Sequence, residues 1–222
     1  MKIINSSLLI DFWQKYPDAE EALKTWFYEV KSQTWQEGRE ALKFFANVKI
    51  KKDEEINFEI VADRYCLKAI FKASRQILFI KSIESISKSV FQNSSPFSEV
   101  NEGNMPIKPI YTEEDLQIAV DRLEDLFLAK EGTPEYDEFV ILSELIMAFY
   151  NDTKQIDFPD PVEAIRYYMW FKDQDEEGLG KVTGSQRLAN NILNHTEKLT
   201  LPIIWKLCKE WKIPAECLIK PY

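Results

Sequence analysis

The hydropathy period of this chain changes twice along its 222 residues, and that limits what it can fold into. Up to about residue 45 the apolar side chains recur at helical spacing. Asp11 to Tyr16 is a helical, aromatic-rich segment that stops at Pro17. Leu23, Trp26, Phe27 and Val30 then predict an amphipathic helix over 19–33, with Asp18 as N-cap and Glu21 completing a capping box. A shorter helix is expected over 36–45. From Val48 the period drops to two, and residues 48–51, 56–61, 64–72 and 76–83 read as strands, with turns at Lys52-Asp53-Glu54 and Ala73-Ser74.

Residues 87–104 are polar, Ser/Asn-rich and without periodicity. Such a segment is a linker candidate that spans roughly 23 Å as a flexible coil. The helical period then returns. Thr112 caps a helix with the stripe Leu116, Val120, Leu123 and Phe127, which Gly132 ends. Thr133-Pro134 restarts the chain, and Phe139, Leu142, Ile146 and Phe149 form the next stripe. Asp160-Pro161 starts a third helix, a short one covers 175–182, and Gly184 turns the chain into another that begins at Ser185. Thr200 caps a last long helix ending near Ile213-Pro214. These stripes are core positions.

Charge follows the same seam. Residues 105–222 carry 13 Lys and Arg against 22 Asp and Glu, whereas residues 1–104 carry 15 of each. An acidic second half argues against a chain that coats nucleic acid indiscriminately, without excluding a local basic face. No apolar run approaches the length of a membrane span, and the N-terminal patch does not resemble a signal peptide. Cys66, Cys208 and Cys217 show no metal-ligand spacing, so free thiols in a reducing cytoplasm are expected, with no metal and no cofactor.

Two patterns carry chemistry. In the third strand Tyr65, Leu67, Ala69 and Phe71 alternate with Arg64, Cys66, Lys68, Ile70 and Lys72, which gives one buried face and one face with three cations. A solvated sheet face fits the same pattern. The stretch 176–194 has the layout of a helix-turn-helix near 175–194: Leu179 and Val182 inward, Gly180 where the helices approach, Gly184 in the turn, and Leu188, Ile192 and Leu193 holding the second helix. Gln186, Arg187, Asn190 and Asn191, with Lys181 and Ser185, are then the candidate DNA-binding residues, since Asn and Gln pair with adenine and Arg with guanine. A helical hairpin that binds nothing is the competing expectation, because Lys181 and Arg187 are the stretch's only cations and Glu176 and Glu177 repel phosphate.

Both halves resemble a known family. FWQKYPDAEEALKTWFYEVK with Trp35, and the run INFEIVADRYCLKAIF…ILFIKSI, resemble HigB-type toxins of the RelE superfamily. PIYTEEDL, GTPEYDE, PDPVEAIRYYM and LTLPIIWKLCKEWKIPAECLI resemble HigA-type antitoxins. The resemblance implies an α+β RelE-like N-terminal domain over 1–86, with helices on an antiparallel sheet, the linker at 87–104, and an all-α helix-turn-helix domain over 105–222. It implies a toxin–antitoxin fusion with Met105 where an antitoxin would start. The toxin half would be a ribosome-dependent mRNA endonuclease. The antitoxin half would neutralise it within the chain and repress operator DNA, with a homodimer plausible.

The departures from that family weaken the enzyme. Lys81 stands where the family's last strand has arginine, Ile86 where it has histidine and Ser89 where it has tyrosine, and Cys66 replaces another arginine. The chain's single histidine, His195, lies in the other half. Lys81, Arg64, Lys68, Lys72 and Arg75 are the candidate catalytic residues and could stabilise a charged phosphorane, but general acid–base help, worth about 10²–10⁴-fold, is missing. A DNA-binding regulator or interaction module with a dead toxin remnant is the alternative. The acidic stretch 113–144 is the candidate contact for the toxin's cationic face.

Overall fold

The period-two stretch folds as a sheet, and along Tyr65–Lys72 burial alternates as the sequence requires. The computed structural model describes residues 1–45, 48–51, 55–61, 64–86, 107–153 and 156–220. The expected turn at 52–54, the linker, Ser89 and Met105 lie outside the described residues. The sheet has five strands, β1 (Lys2–Ile4), β2 (Val48–Ile50), β3 (Glu55–Ile60), β4 (Tyr65–Lys72) and β5 (Ile77–Ser85), in the order β1-β5-β4-β3-β2. β2 with β3 and β3 with β4 are antiparallel. β1 runs parallel to β5, so the sheet is mixed rather than purely antiparallel. Three residues are too few to show a period, which is why β1 leaves no trace in the hydropathy pattern.

The chain is α+β, with two helices before the sheet's main hairpins, α1 (Ser7–Lys15) and α2 (Glu20–Ser32). The expected helix over 36–45 is a 3₁₀ turn, Gly38–Lys43. The start of α2 also differs from expectation. Asp18 lies in a 3₁₀ turn, Pro17–Ala19, and makes no cap. Its carboxylate instead accepts from the Tyr65 hydroxyl at 2.9 Å and meets Arg64 at 2.8 Å. Glu21 reaches across to accept the Asp160 backbone N–H at 2.6 Å. Long-range partners outcompete the local box.

Met1–Glu84 together with Ile156–Tyr222 form one compact unit, and Ser85–Gln155 form a second. This grouping differs from the division at residues 86 and 105. The first unit adds α5 (Pro161–Phe171), α6 (Glu176–Thr183), α7 (Gln186–Leu193) and α8 (Leu201–Lys206) to the sheet and to α1 and α2. The cause is apolar area. One continuous core runs from Leu23, Trp26 and Phe58 through Ile165 and Tyr168 to Leu179, Ile192 and Leu207. α5 packs on α2, Phe158 stacks on Tyr28 at 4.4 Å, and Phe171 meets Phe45 edge-on at 5.8 Å. The Tyr28 hydroxyl donates to the Ile156 carbonyl.

The second unit holds α3 (Glu113–Asp125) and α4 (Pro134–Thr153), the two helices that follow residues 107–112 in the chain. Thr112 and Asp115 form the capping box that starts α3. Gly132, at φ +85°, turns the chain into Thr133-Pro134. Arg122 binds Glu138 through two hydrogen bonds of 2.8 and 2.9 Å and ties the helices together. The α4 stripe ends on buried Tyr150, with Phe149 half-buried. Among the described residues no helix is long and apolar enough to cross a membrane.

Candidate nucleic-acid interface

Gly180 and Gly184 are the local reasons that α6 and α7 form a tight pair. A Cβ on Gly180 would stand 3.3 Å from the Gln186 Cα and 2.4 Å from its Oε1, so a side chain there would have to displace the start of α7 or the Gln186 amide. Gly184 takes the left-handed conformation at φ +86° that ends α6. Asp175 caps α6 by accepting from the Gly178 N–H at 2.9 Å, and Ser185 caps α7 by accepting from the Leu188 N–H at 3.4 Å. Leu179, Val182, Ala189, Ile192 and Leu193 are buried beneath, and Leu188 packs half-buried against the same core. Arg166 of α5 donates to the Leu193 carbonyl at 2.6 Å and satisfies the end of α7.

The outward face carries the residues that the pattern singled out. Lys181, Ser185, Gln186 and Arg187 are exposed, and Asn190 and Asn191 are half-buried. Gln186 and Asn190 hydrogen-bond to each other at 3.1 Å, one helical turn apart. Asn191 donates to Glu197 at 3.2 Å, and Lys181 pairs with Glu177 at 3.0 Å. Ser185 is committed to the cap. Arg187 has no ion-pair partner among the described residues. Such a face presents a polar amide pair and one open guanidinium at the first turn of a helix. Its electrostatic pull on phosphate is small, because Glu176 and Glu177 stand in the same stretch.

The β4 candidates are arranged differently. Lys68 pairs with Glu84 at 2.7 Å and Arg64 with Asp18 at 2.8 Å, so both of these candidate catalytic cations face carboxylates. Arg64 also lies over the Tyr65 ring, 5.5 Å from its centroid. On neighbouring strands Lys49 meets Glu59 at 2.6 Å and Lys51 meets Glu55 at 3.3 Å. Lys72 closes β4 half-buried, Arg75 is exposed in the 3₁₀ turn Ala73–Arg75, and Lys81 is exposed on β5. Carboxylates therefore stand among the cations of this part of the sheet.

Proton chemistry on that face is limited. Lys68 holds the Glu84 carboxyl below its usual range, so it is ionised at neutral pH. Burial pushes the Cys66 thiol up, which keeps it protonated. Ile86 is an exposed side chain without acid–base function. Among the described residues no cluster of His, Cys, Asp and Glu is placed to hold a metal.

The last helical run starts at Thr200 and ends at Lys212, two residues before Pro214, close to the expected bounds. Thr200 holds the N-cap position of α8, but its side chain makes no cap bond. α8 is short and runs into a π-turn, Leu207–Trp211, that ends at Lys212 with φ +62°. Sequence reasoning also missed Glu29, a carboxylate buried on α2, because its neighbours come from α5 and the C-terminal turn.

Comparison with family models finds no match for the chain, and no curated protein matches it.

Proposed function

We propose that this chain is a toxin–antitoxin fusion in which the α6–α7 pair is a helix-turn-helix that binds operator DNA, while the RelE-like N-terminal part is a weakened mRNA interferase restrained within the chain. The observation that carries this reading is the close approach of α6 to α7 at Gly180, which leaves Gln186 and Arg187 on the exposed first turn of α7. That turn is the part of a recognition helix that meets base edges in the major groove. Gln186 suits adenine and Arg187 suits guanine.

The test is fluorescence anisotropy with the full chain and duplexes tiled across the DNA upstream of its coding sequence, at 50 to 200 mM salt. Retention on one duplex, weakening with salt by about 0.9 log units per log unit for each phosphate neutralised, is expected. Equal retention by a Gln186→Ala/Arg187→Ala double variant would defeat the reading.

Two observations favour restraint of the toxin-like part. Residues 1–84 share their core with residues 156–222, so that part is covered along α2. Arg64 and Lys68 are paired with carboxylates, and Ile86 stands where the resemblance implies a histidine. Mapping message ends after induction of the full chain, beside a Lys81→Ala control, measures what activity is left. Cuts that vanish in the control mark a working enzyme. Identical message ends in both support the alternative, a DNA-binding regulator with a dead remnant.

A further inference from the structure

We propose that Glu29 is a pH-operated latch between α2 and the C-terminal helices. Glu29 is 3% exposed and sits on the α2 surface that meets α5. Its Oε1 accepts from the Gln33 side chain at 2.9 Å, one turn along the same helix. Its Oε2 is buried with no hydrogen-bond partner among the described residues. A carboxyl so placed is tolerated as the neutral acid and costly as the anion, because an ion without a full set of partners loses its hydration on burial.

The neighbours come from three elements. α2 supplies Gln33. α5 contributes Tyr167 within the helix and Lys172 at its C-terminal cap, and the 3₁₀ turn Ala215–Cys217 contributes Cys217. Lys172 is the one cation that acts on Glu29 and favours its ionisation, yet burial outweighs it and pushes the Glu29 carboxyl up to about 7. Burial also drives the Tyr167 phenol far up and the Cys217 thiol up to about 12, so neither changes charge near neutrality. The Met1 amine, which donates to the Lys31 and Gln33 carbonyls at the end of α2, is pushed down by burial and by Lys31. It therefore opposes the Glu29 effect as pH rises.

The sign follows from linkage. The folded state binds the Glu29 proton more tightly than the unfolded chain, whose glutamate titrates near 4.5. The stabilisation is full below that pH and is lost as pH rises through about 7. Ionisation then places an anion in the seam between α2, α5 and the C-terminal turn, and the seam loosens. The protein holds these segments tightly in mild acid and more weakly in mild alkali. This device does not depend on DNA or RNA binding.

The experiment is urea denaturation of the full chain from pH 5 to pH 8.5, with hydrogen exchange read separately at α5 and at Ala215–Cys217. The wild type is expected to lose on the order of a hundred-fold in its folding equilibrium over that range. Exchange should speed up first at α5 and the C-terminal turn. Glu29→Gln should flatten most of that slope and slow exchange in those segments at pH 8. A Glu29→Gln protein that keeps the wild-type slope would overturn the proposal. Should that variant not fold, Lys172→Met serves instead: without its cation the alkaline loss steepens, and an unchanged profile would overturn the latch equally.

Discussion

The strand face of β4 and the outward face of α7 were both read from sequence as places where nucleic acid binds, and the structure treats them in opposite ways. On β4 the cations arrive with carboxylates: Lys68 with Glu84, Arg64 with Asp18. On α7 the polar residues arrive with one another, Gln186 with Asn190, and Arg187 is left open. A row of cations in a strand therefore need not make a positive surface. A pair of amides on a short helix makes a polar edge with little charge at all.

The largest effect is expected where the α7 face depends on its support. Gly180→Val pushes a branched side chain into the Gln186 backbone, and overpacking of this kind costs about 1–3 kcal/mol. Urea unfolding should show that loss, and DNA retention should fall with it. If Gly180→Val keeps wild-type stability, the close approach is not what holds the pair together.

Arg187→Ala leaves the fold untouched and sharpens the comparison. Its side chain is exposed, so stability should stay within about 0.5 kcal/mol. Affinity for a bound duplex should drop by about 1–3 kcal/mol, with relaxed preference at one base position. A uniform loss across sequences would instead make Arg187 a phosphate contact. Asp175→Ala should cost about 0.5–2 kcal/mol through the lost α6 cap, read by thermal melting.

The smallest stability change belongs to the strand face. Asp18→Asn with Glu84→Gln breaks two largely exposed ion pairs, each worth about 0–1 kcal/mol. The same change frees Arg64 and Lys68, so non-specific retention on single-stranded RNA should rise and should fall again with salt. No gain in retention would mean that the remaining carboxylates, Glu55 and Glu59, still dominate that face.

What was legible in the sequence was local. Thr112, Gly132, Asp160-Pro161, Gly180 and Gly184 each act on residues within a few positions, and all behave as their chemistry dictates. The four expected strands appear within two residues of their expected bounds. What was not legible was distant. Asp18 looked like a cap until Tyr65 and Arg64 claimed it from 46 or more residues away. Glu21 meets Asp160 across 139 residues, and no pattern in either segment announces it. The burial of Glu29 and the joining of residues 156–222 to the sheet unit arise from such pairings. The partners of Lys68 and Arg64 were hidden for the same reason: Glu84 and Asp18 lie on other elements.

The shared core of residues 1–84 and 156–222 also has a consequence for biosynthesis. Trp26 and Phe58 are made early, while Ile165, Leu179 and Leu207, which complete the same core, are made much later. At about 5–20 residues per second, a ribosome needs several seconds to cross the intervening stretch. The nascent sheet and its helices wait that long with an unfinished apolar side. A chaperone that binds exposed hydrophobic segments has its opening during elongation, and slowing translation over residues 85–155 should lengthen it.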